Sequence, residues 1–309
     1  MLNSLTYPDT SIFTQPMYYF VYGPLYLLSL LPLRVLYLFS DIAYFIIYYV
    51  IGYRKEIVYN NLSVAFPHKS ENERKAIAKK FYKAFADSFI ETIKAFSAGN
   101  KFIRKHFTGD FSLFDELHEK GVRKVQLHSG HNFNWEFANL SIPLHLVYPL
   151  VTVYMPITNK IFDKIFFRMR SKTGAILLPA TDIAKAILPH RNKSYVIALV
   201  ADQNPGHPKT AYWVNFFNRP TPFVRAPENG ARRGNIPVVF CYFKKEKRGY
   251  YKIIFQLGEE NPSSTKVGEL TRNYAQFLQW TIEQQPENWL WSHRRWKWEW
   301  REEYGKIIN

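Results

Sequence analysis

From Thr10 to Leu33 the chain carries no charged residue, and from Leu33 to Tyr53 it carries only Arg34 and Asp41. An uncharged run of that length must meet a bilayer or be buried under other elements. Pro16, Pro24 and Pro32 interrupt its first part, which argues against a single straight helix from Met17 onward. The second part, roughly Arg34 to Tyr53, approaches the ~20 residues that cross a bilayer. Tyr18, Tyr19, Tyr22, Tyr26, Tyr48, Tyr49 and Tyr53 suit the headgroup level. Arg54 and Lys55 follow directly and assign what comes after to the cytoplasmic face. Asp41 weakens a full span, so a transmembrane helix and a hairpin dipping into one leaflet both stay open. The alternative is a buried helical hairpin of a soluble protein. The first residues lack the basic segment and cleavage site of a signal peptide. We therefore read residues 1–55 as a membrane anchor and residues 56–309 as a domain on the cytoplasmic face.

Lys plus Arg number 41 against 25 Asp plus Glu, a formal charge of +16. Such a balance calls for an acidic partner: nucleic acid, anionic lipid or an acidic protein. Cys241 is the one cysteine, which excludes an intrachain disulfide, and its apolar surroundings predict a buried thiol.

Ser70 and Glu73 form a capping box, and Ile77, Phe81, Ala84, Phe85, Phe89, Ile93 and Phe96 recur at helical spacing, so a long amphipathic helix runs to about Ala98. Short apolar runs follow at Lys124–Leu127, Leu146–Tyr154, Ala175–Leu178, Tyr195–Ala201, Ile236–Phe243 and Tyr250–Leu257. Helical patterns alternate with them at Trp135–Leu140, Lys160–Lys172, Thr181–His190 and Ala226–Gly234, and a last helix spans about Val267 to Gln284. The alternation predicts an α/β fold with a mostly parallel central sheet flanked by helices.

Leu127 ends a predicted strand, and His128-Ser129-Gly130-His131 leads into a helix that contains Glu136. A histidine at the carboxyl end of a strand, before a helix N-terminus, is placed for ligand chemistry. Glu136 is spaced to fold back onto the His131 imidazole, fix its tautomer and stabilise the imidazolium. Gly130 permits the tight turn. The alternative is a structural histidine beside a solvated glutamate. The same spacing at His68 and Glu73 is explained by the capping box. Ser129 lies outside a Gly-x-Ser-x-Gly elbow, and His128 and His131 lack further spaced ligands, so a serine nucleophile and a zinc site are the weaker readings.

The ordered features Leu27 to Pro32, Val58 to Leu62, Phe66-Pro67, His131 to Glu136, Tyr154-Met155-Pro156 with Asn159 and Asp163, Asp202-Gln203, Phe216-Phe217, Pro220 to Phe223 and Trp289 to Lys297 carry a resemblance. From about Tyr18 to Lys297 the chain resembles the late acyltransferases of lipid A biosynthesis, the lauroyl/myristoyl transferase family. The resemblance implies a glycerolipid-acyltransferase-like fold and an enzyme of the bacterial inner membrane. It implies acyl carrier protein, or sometimes coenzyme A, as the acyl donor, and a hydroxyl on a lipid A precursor as the acceptor. In that family the histidine is the general base and the acid orients it. Met155 stands where the family commonly has a basic residue, which leaves other acceptors open, such as a lysophospholipid or an amino-acid lipid.

Direct transfer needs no metal or organic cofactor. His131 would deprotonate the acceptor hydroxyl, and backbone N–H groups near Gly130 or at the helix N-terminus would hold the oxyanion. Asp202 and Gln203 end another predicted strand, on the sheet edge of His131 if the two strands run parallel, and are read as substrate-binding. Arg170, Arg225, Arg233 and Arg294 are candidate phosphate or lipid contacts. Phe216, Phe217 and Phe223 line an acyl tunnel or fill the core. The interleaved tryptophan and basic residues from Trp289 to Trp300 suit nucleic acid or a membrane interface, and the N-terminal anchor favours the membrane over nucleic acid. A membrane-tethered basic binding protein without catalysis is the non-enzymatic alternative.

Overall fold

The computed structural model describes residues 14–309, with side chains from Pro16 onward. Thr10 to Phe13 of the uncharged stretch lie outside the described residues. Helix α1 (Thr14–Leu30) runs through Pro24, and the break falls at Pro32, extended at φ −57° and ψ 143°. Helix α2 (Leu33–Phe45) continues as a π-helical segment to Ile51. The run Leu33–Ile51 is 19 residues long, with the length and apolarity to cross a membrane.

Helix α3 (Lys55–Ala65) leads to α4 (Glu71–Ala95). The expected capping box starts α4: the Ser70 amide donates to Glu73 Oε2 at 2.8 Å and the Glu73 amide to Ser70 Oγ at 3.3 Å. Helix α5 (Asn100–His106), strand β1 (Phe107–Gly109) and helix α6 (Ser112–Glu119) precede β2 (Lys124–Ser129). Then come α7 (Trp135–Ser141), β3 (Leu150–Tyr154), α8 (Lys160–Ser171), β4 (Ile176–Pro179), α9 (Ile183–Ala186) and β5 (Tyr195–Val200). Strands β6 (Ala211–Phe216) and β7 (Arg219–Val224), helix α10 (Ala226–Gly234), β8 (Val238–Lys247), β9 (Tyr250–Glu259), α11 (Glu269–Gln284) and β10 (Ile307–Ile308) complete the chain.

The main sheet has the order β1-β9-β8-β2-β5-β3-β4, parallel except for the β8–β9 hairpin. This is the α/β architecture with a mostly parallel sheet. Strand alternation divides the core into two layers. Val238, Phe240 and Tyr242 face α4, α11 and the tryptophans of the tail, while Val239, Cys241 and Phe243 face α7 and the residues around Phe107. Cys241 is buried, and burial pushes its thiol well up.

The structure departs from or adds to the expected elements. The helix predicted over Thr181–His190 is reduced to one α-helical turn between 3-10 turns, with Pro189 in the second of them. Phe217 and Asn218, both at positive φ, turn the chain from β6 to β7 in a second, three-stranded sheet, β10-β6-β7. Pro220 and Pro222 hid β7, yet proline is tolerated there because β7 is an edge strand. Phe216, Phe217 and Phe223 are buried core residues rather than an open tunnel wall. The tail is only partly interior: Trp289, Trp291 and Arg295 are at most 1% exposed, whereas Arg294 and Lys297 stay exposed.

Candidate active site

Strands β2 and β5 are parallel neighbours in the register Ser129↔Val200, so residues 131 and 202 leave the sheet at the same edge. There the Asp202 carboxylate, 1% exposed, accepts three hydrogen bonds. Its Oδ1 lies 2.6 Å from His131 Nδ1, and its Oδ2 accepts from the His131 amide at 2.8 Å and from Trp289 Nε1 at 2.7 Å. Burial alone would raise this carboxyl, but hydrogen bonds to a carboxylate stabilise by about 1.5–3 kcal/mol each. Together with His131 they win and hold the Asp202 carboxyl at about 2. An ionised Asp202 requires a proton on His131 Nδ1, which leaves the lone pair on Nε2. The His131 side chain keeps 20% of its surface exposed, and Gln203 Nε2 lies 3.2 Å from that nitrogen.

Glu136 does not touch the imidazole. Its Oε2 accepts from Arg170 Nε at 2.8 Å and its Oε1 from Arg170 Nη2 at 2.5 Å, a two-pronged buried ion pair that fastens α7 to α8. The reason is helical phase. Asn134 caps α7 by accepting from the amides of Glu136 and Phe137, which fixes Glu136 in the first turn, aimed at α8. The orienting acid of His131 is therefore Asp202, 71 residues along the chain.

Gly130 acts by close approach rather than by turning. Its φ is not in the left-handed region, and a Cβ there would lie 2.6 Å from Leu278 Cδ1 and 3.2 Å from Asp202 Oδ2. Three of the backbone donors expected for an oxyanion are engaged: the His131 amide by Asp202, and the amides of Glu136 and Phe137 by Asn134. The side-chain amide of Gln203 stands beside His131 Nε2.

The tail supports this edge. The Phe133 amide donates to Asn288 O, Asn132 bridges to Trp289, and Asn61 of α3 donates to the carbonyls of Trp291 and His293. Asn204 donates its amide to His293 Nε2 at 3.3 Å and accepts from Arg295 Nη1 at 3.0 Å. Burial and the nearby Arg295 lower His293 to about 4, so it is neutral. These tail residues were invisible as site residues, since nothing local links positions 289–295 to position 202.

The remaining candidates divide. Arg294 is exposed, and its carbonyl accepts from Asn204 Nδ2 beside the site. Arg225 donates to Ala211 O and lies over the Tyr212 ring. Arg233 is exposed at the end of α10, next to Gly234, which faces Arg123 and Lys124 at the start of β2. That is the opposite end of the sheet from His131. His128 is buried with its Nε2 2.8 Å from the Gln126 amide, and burial lowers it to about 3. Ser129 is buried, with its carbonyl accepting from Tyr274. Met155 is 67% exposed.

Comparison with known proteins adds the chemistry. The chain is 24% identical over 258 residues to a lipid A biosynthesis palmitoleoyltransferase of Escherichia coli (strain K12), covering 79% of each chain. It is equally similar, again over 79% of each chain, to a lipid A biosynthesis acyltransferase of Shigella flexneri. The profile of the family described as bacterial lipid A biosynthesis acyltransferase matches residues 8–298, nearly the whole chain. The chain belongs to that family and is an acyltransferase.

Proposed function

We propose that this protein transfers a fatty acyl chain from an acyl thioester, on acyl carrier protein or coenzyme A, to a hydroxyl of a lipid A precursor. It works at the cytoplasmic face of the bacterial inner membrane, with residues 1–55 as the anchor and residues 56–309 as the catalytic domain. The observation that carries the reading is the 2.6 Å contact of His131 Nδ1 with a buried, ionised Asp202, which leaves Nε2 free of a proton at a strand's carboxyl end. Family membership sets aside the non-enzymatic binding protein.

In the proposed reaction the acceptor hydroxyl meets His131 Nε2, where Gln203 Nε2 now stands. His131 takes the proton as the hydroxyl oxygen attacks the thioester carbonyl. Asp202 stabilises the imidazolium without itself becoming protonated. Gln203, whose side-chain amide stands 3.2 Å from His131 Nε2, donates to the developing oxyanion. The tetrahedral intermediate collapses with loss of the thiolate, which receives the proton from His131. The Glu136–Arg170 pair holds α7 and α8 in register beneath the site.

The deciding experiment is the lipid profile of cells with the gene, without it, and with His131→Ala. Lipid A lacking one acyl chain in the last two supports the proposal. Unchanged lipid A with a missing lysophospholipid- or aminolipid-derived species would move the acceptor, an outcome that the exposed Met155 keeps testable.

A further inference from the structure

We infer that the N-terminal helices form an in-plane anchor. Helices α1 and α2, joined at Pro32, lie flat on one anionic leaflet, each clamped to the rest of the chain, and Leu33–Ile51 does not cross the bilayer. This rests on the membrane location proposed above.

The apolar length of Leu33–Ile51 permits a span, but its attachments oppose one. Helix α2 is fastened antiparallel along α4 from end to end. At the junction of α1 and α2, Lys94 Nζ donates to the carbonyls of Ser29 at 2.9 Å and Leu31 at 3.1 Å, and Ser97 Oγ donates to Ser29 O at 2.7 Å. Further along, Tyr37 donates to Glu91 at 2.8 Å and Ser40 to Asp87 at 2.8 Å. Arg248, from the β8–β9 turn, joins Asp41 at 2.7 Å to Asp87 at 2.6 Å. At the far end Tyr48 packs 5.2 Å from the Tyr82 ring, and Tyr82 donates to Tyr53 O at 2.6 Å.

Helix α4 is itself core, with Phe81 and Tyr82 fully buried. A span would therefore carry Asp87, Glu91, Lys94 and Arg248 into hydrocarbon, where each charge is costly. Crossing needs ~20 residues free to meet lipid, whereas Tyr37, Ser40, Asp41 and Tyr48 are committed to the domain at helical spacing. The opposite stripe of the same run, Leu38, Phe39, Ile42, Phe45, Ile46 and Val50, is exposed, with Leu38 at 64% and Val50 at 69%. One polar stripe bound to protein and one bare apolar stripe describe a helix lying in an interface.

Charge selects an anionic leaflet as the occupant. Lys75, Lys79, Lys80 and Lys83 are exposed along α4, and Lys55 lies 4.1 Å over the Tyr48 ring at the end of the apolar stripe. Basic residues near an anionic leaflet are drawn to its surface. Exposed Tyr19, Tyr26, Tyr49 and Tyr53 supply headgroup-level rings along the two helices and just beyond them.

The test is a depth measurement. Leu38→Cys, Phe45→Cys and Val50→Cys in the full chain would be labelled with bimane. The protein would then be bound to vesicles of phosphatidylethanolamine and phosphatidylglycerol carrying spin labels at set acyl depths. Cys241 is 1% exposed, and the unsubstituted chain controls for its labelling. The inference expects all three probes at one shallow depth, about 5–10 Å below the headgroups. Depths graded by about 18 Å from residue 38 to residue 50, as the 1.5 Å helical rise dictates for a span, would overturn it. Failure to co-sediment with vesicles would overturn the membrane location itself, which separates the two claims.

Discussion

Asp202 meets His131 twice, once through the ring Nδ1 at 2.6 Å and once through the backbone amide at 2.8 Å. The two contacts lock both the tautomer and the rotation of the imidazole, and Trp289 closes the carboxylate from the far side. The imidazole is thus aimed by a side chain that follows the neighbouring strand rather than by one from the helix after it.

Gly130 gives this arrangement a steric test. Gly130→Ala would push a methyl into Leu278 Cδ1 and toward Asp202 Oδ2. A shift of the dyad by about 1 Å costs on the order of 10²-fold in turnover. Leu278→Ala in the same chain opens the nearer contact and should recover part of that loss, as measured by steady-state acyl transfer. A Gly130→Ala enzyme with unchanged turnover would mean that the close packing is unimportant.

Glu136 should behave as a support. Breaking a buried ion pair by removing one partner costs about 3–5 kcal/mol, because the other charge is stranded. Glu136→Gln should lower the thermal midpoint and reduce turnover, while the pH dependence of kcat keeps the wild-type shape because the His131–Asp202 contact is intact. A displaced pH profile at unchanged stability would instead make Glu136 the partner of His131.

Acid stability reports the buried histidines. In the fold His128 sits at about 3, below the ~6.5 of an unfolded chain. A depressed folded value means that the unfolded state binds the proton first. Stability is therefore complete above about pH 6.5 and falls as pH drops toward about 3, by about 2 kcal/mol per such histidine between pH 7 and 5. His293, at about 4, acts in the same direction. Asp202, held at about 2, adds stability that is lost only below about pH 4. Urea midpoints at pH 7 and pH 5 should differ less in His128→Gln than in the parent, and an equal drop would remove His128 from the account.

Much of this was legible from the chain. The central strands announce themselves as apolar runs because both faces of a parallel sheet are buried. The Ser70 capping box is a local contact, encoded by residues three apart. His131 stood out because strand, glycine and helix occur in order around it, and Asp202 was assigned to the same sheet edge, where the β2–β5 register indeed puts it. What failed was a choice between two acids. Glu136 was near in sequence, but a cap at Asn134 turned it toward Arg170. Asp202 was distant in sequence but adjacent in the sheet, and no periodicity encodes strand order. The tail misled for a related reason: alternating tryptophan and arginine look alike whether they coat a surface or, like Trp291 and Arg295, fill a core.

The most direct test of the central claim is single-turnover acyl transfer by Asp202→Asn, with circular dichroism confirming that the variant is folded. Neutralising the orienting acid of such a dyad leaves the wrong tautomer and lowers the rate by about 10³–10⁴-fold. The account predicts a loss of that size in the rate of the chemical step. A folded Asp202→Asn protein transferring acyl chains at close to the parent rate would contradict it.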